Sequence, residues 1–225
     1  MQKARDLGLD ALAITDHDTL KGYEAAIPHA RTLGLDLVCG IELNTRYVVL
    51  GNPERVRSLH LLGYFPTGTP SATFQEQLAR LQGERQERNC QLTTKLQGLG
   101  IAITLAEVES RGKSVTGRPH FAKVLVEKGY ARDSEDAFRR FIGETAPGFV
   151  ELQSGTVQEG IEMVLAGGGV PVAAHPIRLN IPRDQERRAF AERKEGGVAG
   201  LEVIHSDQDS ALQSHYSQIT QQLGL

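Results

Sequence analysis

Residues 11–19, ALAITDHDT, pass directly from an apolar run into a cluster of charge. Leu12 to Thr15 reads as a short buried strand, with Asp16, His17 and Asp18 at its carboxyl end. Upstream, residues 3–9 read as the end of a helix. Downstream, residues 20–33 read as a helix closed by Gly34, and Asp18 or Thr19 is its expected cap. Leu35 to Ile41 is the next strand, ending at Glu42, and residues 58–65 form another with His60 inside it. A strand-helix-strand rhythm with polar residues at strand ends is the pattern of parallel strands covered by helices, where ligands bind at the carboxyl ends.

The second half repeats the arrangement. Residues 156–167 read as a helix, Val170 to Ala174 as a strand with His175 at its tip, and Gly200 to Ile204 as a strand ending at His205. Segments 44–57 and 178–185 read as loops. Between them the pattern is helical: 71–98, with Leu78, Leu81, Leu92 and Leu96 near one face, then 105–111, 118–129 and 134–142. The expected division is therefore residues 1–69 and 151–225 in one α/β domain, with 70–150 inserted as a mainly helical domain.

The bulk composition is that of a soluble globular chain: 225 residues, 40% hydrophobic and 24% charged. The formal net charge of -3 gives no broad positive field for nucleic acid. Cys39 and Cys90 lie far apart and read as free thiols of a reducing compartment. No apolar run approaches the roughly 20 residues that span a bilayer, and the first ten residues do not form a secretory signal. A cytoplasmic location follows by default, with no membrane and no obligate protein partner.

Asp16, His17, Glu42, His60 and His175 each stand at or near the end of an apolar run. Imidazole and carboxylate are the ligands of zinc, iron and manganese, and neighbouring strand tips can gather groups that are distant in sequence. A carboxylate such as Glu42 has two oxygens and suits a bridge between two ions. The bland alternatives are a satisfied core histidine at position 60 and a strand terminator at His175-Pro176. Both histidines sit in apolar segments, where an unpaired imidazole is costly.

TDHDT at 15–19 resembles a motif of the PHP (polymerase and histidinol phosphatase) family. The similarity extends through CGIEL at 39–43, HLLGY at 60–64, GRPHFAKVLVEKGY at 117–130, GGVPVAAHP at 168–176 and GLEVIHS at 200–206. It is most similar to the bacterial branch acting on nucleoside 3',5'-bisphosphates and on short RNA from its 5' end. The resemblance implies a distorted, incomplete (β/α)7-type barrel of the α/β class, and two or three divalent ions, manganese or alternatively iron or zinc, that activate water against a phosphoester. It implies that Glu42 bridges, that His60 and His175 share one ion, and that His17 holds another with Asp16 beside it. Asp16, His17, Glu42 and His205 are then the expected catalytic groups, and Arg118, His120, Arg178 and His205 the expected contacts to a small nucleotide or short RNA. The family opens with a His-x-His strand and closes its site with Asp-x-His. Neither is in this sequence, so the chain is expected to be a fragment of an active enzyme, with a weakly catalytic or purely binding short form, or a metal-dependent hydrolase of another bond such as an amide, as the alternatives. The run Arg80, Arg85, Arg88, Lys95 is expected to be a solvated helix face.

Overall fold

The computed structural model describes residues 1–112, 115–152 and 154–225. Two compact units result, one from residues 1–78 with 154–225 and one from residues 79–153.

The first unit is built on a five-stranded sheet in the order β1 (Ala11–Ile14), β2 (Asp36–Val48), β3 (Val56–Phe65), β4 (Val170–Ala173) and β5 (Gly200–Leu201). Helices α1 (Gln2–Asp6), α2 (Lys21–Leu33), α7 (Val157–Ala166), α8 (Arg183–Glu195) and α9 (Ser210–Leu223) accompany it. The α/β class expected from the sequence holds. The strand directions do not all follow the parallel rhythm: β1 and β2 are parallel, as are β4 and β5, but β3 runs antiparallel to both neighbours. The cause is local. Residues 44–48 continue β2 rather than opening a loop, and the remaining connection is a tight turn in which Val49 N–H donates to Arg55 O at 2.9 Å. A connection that short can join only antiparallel strands.

Ile41, Leu43, Leu59, Leu61 and Phe65 form the buried side of β2 and β3. Helix α7 covers it with Val157, Ile161 and Val164. Its Gly160 permits the close approach, since a Cβ there would stand 2.8 Å from the Thr45 methyl. Thr156 and Glu159 cap α7 reciprocally, Thr156 Oγ1 accepting from Glu159 N–H and Glu159 Oε2 from Thr156 N–H at 3.2 and 2.6 Å. Helix α8 starts at Arg183, inside the segment read as a loop. Its face is mostly charged, so the apolar period that marks a helix is weak there.

In the second unit, most of α3 (Ala72–Gly98) packs with α4 (Leu105–Glu109), α5 (Arg118–Glu127), α6 (Ser134–Ala137) and a π-turn at Phe138–Ile142. Leu92, Leu96, Ile103, Phe121 and Leu125 lead its core. The basic face expected to be solvated is partly turned inward: Arg85 and Arg88 are only 9% and 5% exposed.

Cys39 on β2 is buried, whereas Cys90 on α3 is exposed. Burial, reinforced by the negative charge of Glu24, pushes the Cys39 thiol up to about 11. At pH 8 roughly one Cys39 thiol in a thousand is therefore ionised. Native protein treated with an aromatic disulfide reagent at pH 8 should release one equivalent of chromophore rapidly and a second only in denaturant. Two fast equivalents without denaturant would contradict the burial of Cys39.

Candidate metal centre

Strand alternation decides which side chains face the site. Along β2, Ile41, Leu43, Thr45 and Tyr47 are buried, and Glu42, Asn44 and Arg46 take the opposite face. The β2–β3 register pairs Glu42 with Leu62 and Asn44 with His60. Glu42 and His60 are thus diagonal neighbours on one face, within reach of long side chains. Their contact is direct, with His60 Nδ1 2.6 Å from Glu42 Oε1.

His175 arrives by a different device. Ala173 pairs with Leu61 on the buried side, and Ala174 N–H donates to His60 O at 3.0 Å. Alternation carried one step further would turn His175 toward the buried side. Instead its backbone takes φ 24°, ψ 67°, and the imidazole Nε2 lies 2.8 Å from Glu42 Oε1 and 3.2 Å from His60 Nδ1. A positive φ at a non-glycine residue costs about 1–3 kcal/mol. The Glu202 carboxylate offsets part of this by accepting the His175 N–H at 2.6 Å. Glu202 is itself fixed just beyond β5, where its N–H donates to Ala173 O at 2.9 Å.

The TDHDT loop is laced to β2. Glu42 N–H donates to Asp16 O at 3.1 Å, and Asp18 N–H donates to Glu42 O at 2.9 Å. The Asp18 carboxylate accepts from Asn44 N–H at 3.0 Å and from the Asn44 amide at 2.7 Å. Asp18 is therefore a strap between loop and strand, not the cap of α2, a role that Thr19 Oγ1 approaches by accepting from Lys21 N–H at 3.3 Å. This lacing presents His17, 49% exposed, with Nε2 3.7 Å from Glu42 Oε2. Asp16 points toward α2 instead. A side chain at Gly22 would start 2.0 Å from Asp16 Oδ2, so only glycine leaves room for that carboxylate.

Burial alone would raise the Glu42 pKa. Hydrogen bonds from His175 and His60, with the nearby His17, outweigh it and hold Glu42 well below the ordinary carboxylate range. Ligand atoms around one ion at bond lengths of about 2.0–2.1 Å stand roughly 3.0–3.4 Å apart. The two imidazole nitrogens, at 3.2 Å, already have this spacing, and the carboxylate oxygen is slightly closer to each. His17, Glu42 and His60 also offer ligand atoms within 4.8 Å of one another. Three imidazoles and one ionised carboxylate thus fit a divalent ion, with Glu42 presenting one oxygen to the His60–His175 pair and the other toward His17.

Of the other groups singled out from sequence, His205 borders this cluster, its ring centroid 5.3 Å from that of His175. Its Nδ1 accepts from Asp207 N–H at 3.1 Å. Arg178 grips the Asp207 carboxylate through Nε and Nη2, at 2.7 and 2.6 Å, and holds that carboxyl below its usual range. Arg118 and His120 belong to the helical unit. There His120 Nδ1 accepts from Gly117 N–H at 3.0 Å, and Arg118 lies against the rings of Phe138 and Phe149. Two functional-side residues were not anticipated. Glu202 has a signal in hindsight, an acid inside the apolar run LEVI; Asn44 has none, because its segment reads as loop.

The class these features define is an α/β protein with a histidine–carboxylate cluster at one face of a mixed sheet. The PHP domain model matches residues 1–133. The chain is 31% identical over 216 residues to the 5'-3' exoribonuclease Rnm of Escherichia coli, covering 92% of this chain and 69% of that one. It is 28% identical over 212 residues to a 5'-3' exoribonuclease of Haemophilus influenzae, covering 92% and 73%. It is 27% identical over 194 residues to the 3',5'-nucleoside bisphosphate phosphatase of Chromobacterium violaceum, covering 85% and 65%. Among solved structures, an amidohydrolase from Chromobacterium violaceum with bound sulfate superposes with a TM-score of 0.84 at 24% identity, over 100% of this chain and 77% of that one. A protein of Bifidobacterium adolescentis assigned as a metal-dependent phosphoesterase gives 0.80 at 27%, with the same coverage. The chain belongs to the PHP domain family.

A charge-assisted hydrogen bond to a strained backbone is worth about 1.5–3 kcal/mol. Glu202→Ala is expected to destabilise the metal-free chain by about 2 kcal/mol in urea unfolding and to weaken divalent metal binding about 10- to 100-fold. Unchanged metal affinity in a folded Glu202→Ala chain would show that the His175 backbone needs no such anchor.

Proposed function

We propose that the chain is a metal-dependent phosphoesterase that removes the 3'-phosphate of nucleoside 3',5'-bisphosphates and acts on short RNA from its 5' end. The observation that carries this reading is the convergence of His60 Nδ1 and His175 Nε2 on Glu42 Oε1, at 2.6 and 2.8 Å. The names of the relatives supply the substrate class.

Glu42, His60 and His175 would hold one divalent ion, and the second oxygen of Glu42 with His17 would hold another. The nitrogen and oxygen ligands suit manganese, and equally iron or zinc. Bound there, such ions lower the pKa of water and neutralise phosphoryl oxygens.

The protein's own groups do the rest. Glu42 is held ionised by its two imidazole partners, so it offers full negative charge at neutral pH. His205, beside His175 and partly exposed, would hold the proton for the leaving 3'-oxygen. Arg178 has Nε and Nη2 on Asp207, which among the described residues leaves Nη1 for a phosphate oxygen.

Phosphate release from adenosine 3',5'-bisphosphate with added manganese tests this directly. Glu42→Gln and His175→Ala should each lower the rate by more than about 100-fold while the chain stays folded. Full activity in both variants would refute the assignment, and a faster turnover of amide substrates than of phosphoesters would redirect it.

A further inference from the structure

Asp207 joins two groups that border the histidine cluster. Its Oδ2 accepts from Nε and Nη2 of Arg178 at 2.7 and 2.6 Å. Its backbone N–H donates to His205 Nδ1 at 3.1 Å, and the His205 ring centroid is 5.3 Å from that of His175. Arg178 lies in the short turn that follows His175, its own N–H donating to His175 O at 2.9 Å. Arg178, Asp207, His205 and His175 thus form a continuous run of contacts.

The loop that carries Asp207 is fixed without help from Arg178. Gln208 is buried, 4% exposed. Its side-chain amide donates to Val203 O and Glu202 O, and its N–H donates to His205 O at 3.0 Å. Asp209 then caps α9, its Oδ1 accepting from Leu212 N–H at 2.9 Å. A held loop therefore presents a carboxylate to a long side chain that is half exposed and would otherwise sample many rotamers. The Arg178 hydrogen bonds keep the Asp207 carboxyl below its usual range, so it is ionised at neutral pH. Both contacts fall on one edge of a planar guanidinium, which fixes the direction of its remaining N–H groups. Among the described residues no acceptor takes Nη1. An exposed ion pair adds little to fold stability, so its consequence lies in where it sets the arginine.

We infer that Asp207 is a positioning residue, whose carboxylate orders Arg178 in advance so that its free edge meets a phosphate oxygen of the substrate. The inference rests on the phosphoesterase reading for the identity of that oxygen, and not for the ordering of Arg178. Ordering in advance removes rotamer freedom that binding would otherwise have to take away. A carboxylate that merely competed with phosphate for Arg178 would act with the opposite sign. The bond to His205 comes from the backbone, so replacing the Asp207 side chain leaves it in place.

The test compares wild type, Asp207→Ala, Arg178→Met and the double variant in phosphate release from adenosine 3',5'-bisphosphate with manganese. Asp207→Ala should lower kcat/KM about threefold to tenfold with the melting temperature unchanged, and Arg178→Met should lower it at least as much. Adding Asp207→Ala to Arg178→Met should cost nothing further, because the carboxylate acts only through that guanidinium. A second readout is nitrogen-15 NMR of the metal-free chain. The Arg178 Nε–H signal, identified by its loss in Arg178→Met, should exchange with water at least about tenfold faster in Asp207→Ala than in wild type. Equal exchange in the two, additive losses in the double variant, or an unchanged or higher kcat/KM in Asp207→Ala overturns the inference. If wild type releases no phosphate, the phosphoesterase reading fails, and the exchange comparison alone decides whether Asp207 orders Arg178.

Discussion

One carboxylate oxygen held between two imidazole nitrogens organises this molecule. Glu42 Oε1 lies 2.6 Å from His60 Nδ1 and 2.8 Å from His175 Nε2, while the nitrogens are 3.2 Å apart. Three such atoms at ligand spacing are stable in a partly buried place only if the charge is shared, by protons or by a cation. Much of the surrounding structure can be understood as the means of bringing them together. The β2–β3 hairpin supplies two of them by register alone. The third needs a backbone reversal at His175 that a regular strand would not make.

That division explains where rigidity is concentrated. Glu42 and His60 stand on paired strands whose other faces bury Leu43, Leu59 and Leu61, so they are positioned by the same hydrophobic burial that folds the sheet. His17 and His175 stand on irregular backbone, and each is fixed with the help of a neighbouring carboxylate: Asp18 through Asn44, and Glu202 through the His175 N–H. Supporting anions of this kind orient ligands without contributing a ligand atom. Their loss is felt at the site before it is felt in the fold.

The sequence made the cluster more legible than the sheet. His17, Glu42, His60 and His175 stand out because charge or imidazole interrupts apolar runs, a signal that survives without knowing strand direction. Direction itself depends on the 49–55 turn, and the alternating polar residues Asn44 and Arg46 disguised the extension of β2 as loop. The burial of Arg85 and Arg88 was invisible for a related reason. Their neighbours Glu84 and Glu87 give the helix a mixed charge pattern typical of solvent, and only the tertiary packing of the helical unit reveals which side is covered. Asp16 was grouped with the ligands by adjacency, yet Gly22 lets its carboxylate fold back onto α2.

The central claim is that Glu42, His60 and His175 hold a divalent cation. Anomalous diffraction from crystals grown with manganese tests it most directly. A peak about 2.1 Å from Glu42 Oε1, His60 Nδ1 and His175 Nε2 is expected. Well-ordered side chains at these positions with no anomalous density among them, at saturating manganese, would contradict the account.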